Sequence, residues 1–195
     1  QGLNQNDKAL EYYQKALQSS PNNSDIAYSV GALYANVENY TEAKKYFQRA
    51  VQVNPSNTNA KEALLDMNEV ISQNNVQDAA KLVEEQKYDE ALSLLNKALT
   101  DNPKNADAYY YRASVYDAQN KPQLAVNDYK KSLEFNNNQD VTYYLIAIDY
   151  DNMNNLTSAL EYYKKFINVY KTDDEYSQYV KARIPEIEST IKQEK

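Results

Sequence analysis

The sequence predicts an all-α protein, an α-solenoid of helix-turn-helix repeats with an inserted helix and a C-terminal capping helix, on three observations. First, alanines recur at a fixed step: Ala9 and Ala43 lie 34 residues apart, as do Ala91 and Ala125, and Ala125 and Ala159. Second, two further ladders keep the same steps, Ala16, Ala50, Ala98, Ser132 and Phe166 in one and Tyr13, Phe47, Leu95, Tyr129 and Tyr163 in the other. Self-similarity at such a period is the mark of a stacked repeat array. Third, the apolar spacing inside each unit is helical, as in Ala27, Val30, Gly31 and Tyr34, which follow i, i+3, i+4, i+7.

Residues 1–22 hold only the second helix of a unit, so the chain opens inside a repeat and reads as part of something longer. Residues 24–57 make one complete unit. Pro21-Asn22-Asn23-Ser24 stops one helix and offers caps for the next, and Pro55-Ser56-Asn57 does the same at its end. From Ala43 to Ala91 the step is 48, and the 14 residues beyond 34 amount to about four helical turns. They form an extra helix over 58–71, with Leu64, Leu65, Met67, Val70 and Ile71 at helical spacing, covering the end of the repeat before it. This segment is either separate from a helix near 76–85 or continuous with it, and the array is expected to bend or divide there. The division gives residues 1–71 and 72–195, the second with units 72–105, 106–139 and 140–173. The tail, 174–195, carries Tyr179, Ala182, Ile184, Ile187 and Ile191 in rough helical register, with a kink expected at Pro185. It is read as the terminal cap that a solenoid needs to shield its last apolar face. The small residues of the alanine ladders have a packing reason, since only a small side chain fits where two helix axes approach closely.

These residues resemble the tetratricopeptide repeat, whose pattern of 34 residues runs aromatic, Leu-Gly, Tyr, then Ala, aromatic, Ala and Pro. In residues 24–57, Val30-Gly31 stand for the large-small pair, Tyr34 for the tyrosine, Ala43, Phe47 and Ala50 for the second helix, and Pro55 for the terminator. Tyr109, Ala113 and Tyr116, then Tyr143, Ala147 and Tyr150, follow suit, while 72–105 is weaker in its first helix. The match covers about nine tenths of the chain. Phe166 in a normally small slot and Lys171 in place of the closing Pro mark the end of the regular stack. The resemblance implies a right-handed superhelix and a role in protein-protein interaction.

Composition narrows the chemistry. With no Cys and no His, disulfides, zinc fingers, thiol or imidazole catalysis and an imidazole pH switch are all closed. The only glycines are Gly2 and Gly31, too few for a phosphate-cradling loop. Leu, Ile, Val and Phe number 39, a fifth of the chain, at the margin of disorder; 20 Tyr raise the core-capable set to 59. Tyrosine must therefore serve as packing material. A net charge of -7 argues against nucleic acid, and no apolar run approaches a membrane span. The acidic run Asp173-Asp174-Glu175 lacks the glycine and ligand spacing of a calcium loop and reads as a solvated turn. Asn22, Asn39 and Asn155 fit the glycosylation pattern, but 24 Asn make such matches cheap. No catalytic residue, metal or cofactor is predicted, and the composition leaves the compartment open.

At 100° per residue, the stripe opposite the buried one in the first helices falls near 25, 29, 32 and 36, then 107, 111, 114 and 118, then 141, 145, 148 and 152. The resemblance makes this stripe the lining of a concave peptide groove. It brings forward Asp25, Tyr28, Asp107, Tyr110, Tyr111, Ser114, Asp117, Tyr144 and Asp151, an acidic and aromatic set that favours a protein or peptide partner bearing Lys or Arg. The alternative is that these tyrosines simply pack between helices. Chaperone-tail binders of the family hold a terminal carboxylate with Lys, Asn and Arg, whereas the corresponding places here are Tyr28, Ala32, Tyr111, Val141 and Leu145. The helix 141–150 is apolar nearly all round, leaving Val141, Leu145 and Ile148 as anchors for a partner's apolar side chains or for a second copy. Two rivals accompany this reading: a self-assembling module, and a regulatory or targeting part of an enzyme with its catalytic domain upstream.

Overall fold

The computed structural model describes residues 2–136 and 140–193, with side chains from residue 7 onward. The described residues form ten α-helices: α1 (Gly2–Ser19), α2 (Ser24–Asn36), α3 (Tyr40–Val53), α4 (Thr58–Glu84), α5 (Tyr88–Asp101), α6 (Ala106–Ala118), α7 (Pro122–Phe135), α8 (Asp140–Asn152), α9 (Leu156–Val169) and α10 (Glu175–Gln193). No strand occurs among them. The expected segments 58–71 and 76–85 fall, but for Glu85 at the following turn, in one element, α4, and no Pro or Gly stands between Thr58 and Glu84 to interrupt it. The chain divides into two compact units, Gln1–Asn74 and Asn75–Lys195.

Asparagine does the punctuation that the prolines only outline. The side chains of Asn23, Asn39, Asn57, Asn105 and Asn155 each accept a backbone N–H two or three residues on, satisfying a donor that the first turn would otherwise leave open. Within the repeats, the first helix ends in a residue at positive φ: Glu38, Gln86, Asn120 and Asn154, at φ 56° to 60°. These positions repeat at steps of 48, 34 and 34. Each carries the same pair of backbone bonds, for example Asn155 N–H to the Tyr150 carbonyl at 2.8 Å and Asn154 N–H to the Asp151 carbonyl at 2.9 Å. This double closure is the Schellman motif, and it sets the reversal into the second helix.

In the first unit, α2 packs on α1 and α3, and Leu17, Ala27, Val30 and Ala50 form its core. A Cβ added at Gly31 would stand 2.7 Å from Phe47 ring atoms and 3.2 Å from the Ala43 carbonyl oxygen. The large-small pair of the repeat pattern is thus a matter of space. In the second unit, α7 lies between α6 and α8, and α9 between α8 and α10. Ala91, Leu95 and Ala98 fill one cluster, and Ala125, Tyr129, Ala159, Tyr163 and Phe166 fill the other, with Val180 and Ile187 of α10 completing it. From Ala43 onward the ladders read from the sequence are buried lines of side chains, whereas on α1 Ala9 and Ala16 are half-buried and Tyr13 is exposed. Where α6 and α8 carry the buried Ala113 and Ala147, α10 carries the exposed Lys181 one step further on. Pro185 lies inside α10, which continues past it to Gln193.

Candidate functional site

Three helices of the second unit bring tyrosines together. Tyr110 of α6 meets Tyr111 edge-on at 5.6 Å and Tyr129 at the same distance. Tyr144 of α8 tilts against Phe166 of α9 at 5.5 Å and stands edge-on to Tyr176 and Tyr179 of α10, at 5.2 and 6.3 Å. The phenols of Tyr110 and Tyr144 are both held above their ordinary range, first by burial and then by neighbouring hydroxyls, Tyr176 among them in each case. Offset and edge contacts of this kind are the favoured aromatic geometries. Tyr176 and Tyr179 nevertheless remain 42% and 44% exposed, so the cluster opens to solvent.

The other expected residues are distributed unevenly. Asp107, Tyr111 and Ser114 are half-buried on α6. Val141 is 40% exposed, whereas Leu145 and Ile148 are half-buried against the core of the last repeats. In the first unit, Asp25 is exposed and accepts from Asn57 Nδ2 at 3.2 Å, and Tyr28 lies against Phe47 at 5.5 Å.

Asp117 and Asp151, one repeat apart, are engaged inside the stack. Each accepts from the tyrosine twelve residues on, Tyr129 Oη at 2.8 Å and Tyr163 Oη at 3.1 Å. Their further partners differ. Asp151 is held by Arg183 of α10 through two parallel bonds at 2.8 and 2.9 Å, which keep its carboxyl below the usual range. Asp117 instead meets the carboxyl of Asp149. Burial raises both acids, and Asp149, with Asp117 beside it, is pushed up to about 8.

Cations elsewhere in the unit cover other rings. Arg112 lies over Tyr109 and binds Asp128 at 2.6 and 2.9 Å, which explains a charged residue in the otherwise apolar stripe of α6. Lys130 lies over Tyr150 and Tyr162, Lys165 over Tyr162, and Lys131 over Phe135. Among the described residues, no cation is stacked on Tyr110, Tyr111, Tyr144, Tyr176 or Tyr179. Among the same residues no group of three or more acidic side chains is placed to hold a metal ion, and no helix is long and apolar enough to cross a membrane.

Tetratricopeptide repeat family models match residues 2–67, 82–127 and 142–173. The chain belongs to the tetratricopeptide repeat family. Among curated relatives, it is 35% identical over 71 residues to the TPR repeat-containing thioredoxin TDX of Arabidopsis thaliana, covering 36% of this chain and 19% of that protein. It is 41% identical over 56 residues to tetratricopeptide repeat protein 36 of Caenorhabditis elegans, covering 29% and 31%. The chain thus spans less than a third of either relative it matches. Solved tetratricopeptide folds superpose at low identity. The first such domain of Spaghetti (RPAP3), bound to the HSP90 peptide SRMEEVD, gives a TM-score of 0.55 at 19% identity over 63% of this chain and 94% of that one. Pseudomonas aeruginosa pilF gives 0.53 at 18% identity over 96% and 79%.

Sequence reasoning missed Tyr176, Asp149 and Arg183 as members of this tetratricopeptide surface and its supports, and used Tyr179 only as a register mark. The signal was present in the ladder itself. Extending the step of 34 residues from Tyr111 through Leu145 reaches Tyr179, and from Asp149 it reaches Arg183.

Proposed function

We propose that this tetratricopeptide array is a protein-interaction scaffold without catalysis of its own, receiving a basic peptide or protein segment on the tyrosine-bearing stripe of its second unit. The observation that carries this reading is the contrast between two sets of rings. Tyr109, Phe135, Tyr150 and Tyr162 already hold a Lys or Arg of the chain, while Tyr110, Tyr111, Tyr144, Tyr176 and Tyr179 hold none among the described residues. A ring face is a site of negative potential, and a guanidinium or ammonium group is its natural occupant. Asp107 and Glu175 add acidity, and Ser114 adds a hydroxyl. Val141, Leu145 and Ile148 offer an apolar anchor beside Tyr144, while Asp117 and Asp151 support the stack. In the first unit, Asp25 and Tyr28 supply the same pairing of acid and ring on α2. A related fold holding the acidic peptide SRMEEVD supports peptide capture in general, but the clamp positions here carry Tyr28, Ala32, Tyr111, Val141 and Leu145, which favours the opposite charge.

Fluorescence anisotropy with a short labelled peptide alternating Arg and Leu, and its Glu-Leu counterpart, tests the reading. Binding of the basic peptide alone is expected, weakened about fivefold or more by Tyr176→Ser with Tyr179→Ser at unchanged circular dichroism. Equal binding of both peptides, or of neither, rejects it. Light scattering across a dilution series separates peptide capture from self-assembly.

A further inference from the structure

One register of the second unit occurs three times with three different chemistries. Residues 83 and 115, 117 and 149, and 151 and 183 are pairs 32 apart, each pair one repeat after the last. Val83 and Val115 share an apolar cluster. Asp151 and Arg183 form a bidentate ion pair. Between these two levels, Asp117 and Asp149 set a carboxyl against a carboxyl.

The middle level lacks a cation. Asp149 is 94% buried, being 6% exposed, and neither Asp149 Oδ2 nor Asp117 Oδ1 finds a donor among the protein's own groups. From α7, Tyr129 Oη donates to the other oxygen of Asp117 at 2.8 Å, and from α6 Tyr110 stands close enough to feel the Asp117 charge. The cations of the neighbouring helices are committed elsewhere. Arg112 holds Asp128 and Asn96, Lys130 donates to Tyr150 Oη at 2.6 Å, and Arg183 holds Asp151 and Glu186. Two carboxyls can bond to one another only when one carries a proton, because an ionised carboxylate only accepts. Two buried negative charges without a cation would be strongly unfavourable.

We propose that Asp117 and Asp149 form a proton-operated latch between the repeats 106–139 and 140–173, closed while the two carboxyls share one proton and loosened when that proton passes to solvent. The latch ties α6, which carries Tyr110 and Tyr111, to α8, which carries Tyr144. It is independent of what the groove binds. With no His in the chain, no other side chain ordinarily titrates between about pH 5 and 8, so the response of this pair is isolated.

The sign follows from proton counting. In the unfolded chain an Asp loses its proton near about 3.9, whereas the folded pair keeps one until about 8. Between those values the folded state binds one proton more, so stability is highest at the acid end and falls as pH rises, by about tenfold in the folding equilibrium per pH unit, levelling above about 8.

The test uses the full chain with ¹³C-labelled Asp, following carboxyl shifts by NMR and denaturant stability from about pH 5 to about 9. One Asp carboxyl is expected to titrate near the upper end, and the fall in stability is expected to shrink sharply in Asp149→Asn and to a lesser degree in Asp117→Asn, where burial still raises Asp149. Amide exchange in α8, compared at equal pH, should be faster in the wild type than in Asp149→Asn above about pH 8 and equal below about 7. If every Asp titrates below about 5 with flat stability, or if Asp149→Asn keeps the wild-type slope, the latch is wrong. Should one Asn variant fail to fold, the other variant and the wild-type titration still decide.

Discussion

Arg183 grips Asp151 with one edge of its guanidinium, Nε to Oδ2 at 2.8 Å and Nη2 to Oδ1 at 2.9 Å. The bond joins the last helix to the first helix of the last repeat, and Tyr163 Oη adds a third donor at 3.1 Å. Arg183→Ala should therefore lower stability at neutral pH by about 1 to 2 kcal/mol, less than for a fully enclosed pair because the arginine side chain is partly open to water. The Asp151 carboxyl is depressed in the folded state. Its contribution is thus present above the ordinary Asp range and is lost as pH falls through the lower folded value. Urea titrations at neutral and acid pH should show that Arg183→Ala removes part of this acid-side loss. An unchanged acid profile would show that the pair contributes nothing.

Gly31→Ala sets helix propensity against space. Alanine is better in a helix by about 1 kcal/mol, but its Cβ would stand 2.7 Å from the ring of the buried Phe47 and 3.2 Å from the Ala43 carbonyl oxygen. Overpacking of this kind costs about 1 to 3 kcal/mol, so a net loss is expected in thermal melting. A gain in Tm would mean that α2 and α3 can separate more easily than their packing suggests.

The positive-φ turns predict a stabilising change. Glu38 and Gln86 occupy the left-handed region at φ 60°, which asparagine tolerates and longer side chains resist. Glu38→Gly and Gln86→Gly should each add about 0.5 to 1 kcal/mol, while Asn120→Ala and Asn154→Ala should each subtract a similar amount. Chemical denaturation of the four variants checks both signs.

The face of α8 separates by exposure. Val141→Asp should change stability by no more than about 0.5 kcal/mol, whereas Ile148→Asp, placed against the core, should cost about 1 to 3 kcal/mol. Equal costs would mean that Ile148 is as open to water as Val141.

The fold was legible because stacking turns a sequence period into a spatial one: Ala43, Ala91, Ala125 and Ala159 are all fully buried. The absence of Pro and Gly from residues 58–84 was equally visible, and it permits the single helix α4. The site was less legible for a geometric reason. Periodicity tells which side of a helix a residue occupies, but not which neighbouring helix reaches it. The stripe arithmetic brought Asp117 and Asp151 forward as groove acids, yet the partners that hold them, Tyr129, Tyr163, Asp149 and Arg183, lie 12 or 32 residues away. Only the repeat step connects those positions.

The three junction chemistries also make the repeats unequal as units of inheritance. Exchanging 106–139 with 140–173 would set Val83 against Asp149 and Asp151 against Val115, leaving two aspartates facing valine. Copying 140–173 in tandem would place Asp151 opposite a second Asp149 and create another acid pair. Recombination between these similar segments would therefore change the chemistry of at least one seam in either case. The order and number of repeats in this array are thus guarded by a few side chains at the joints, while the surfaces between them remain free to vary.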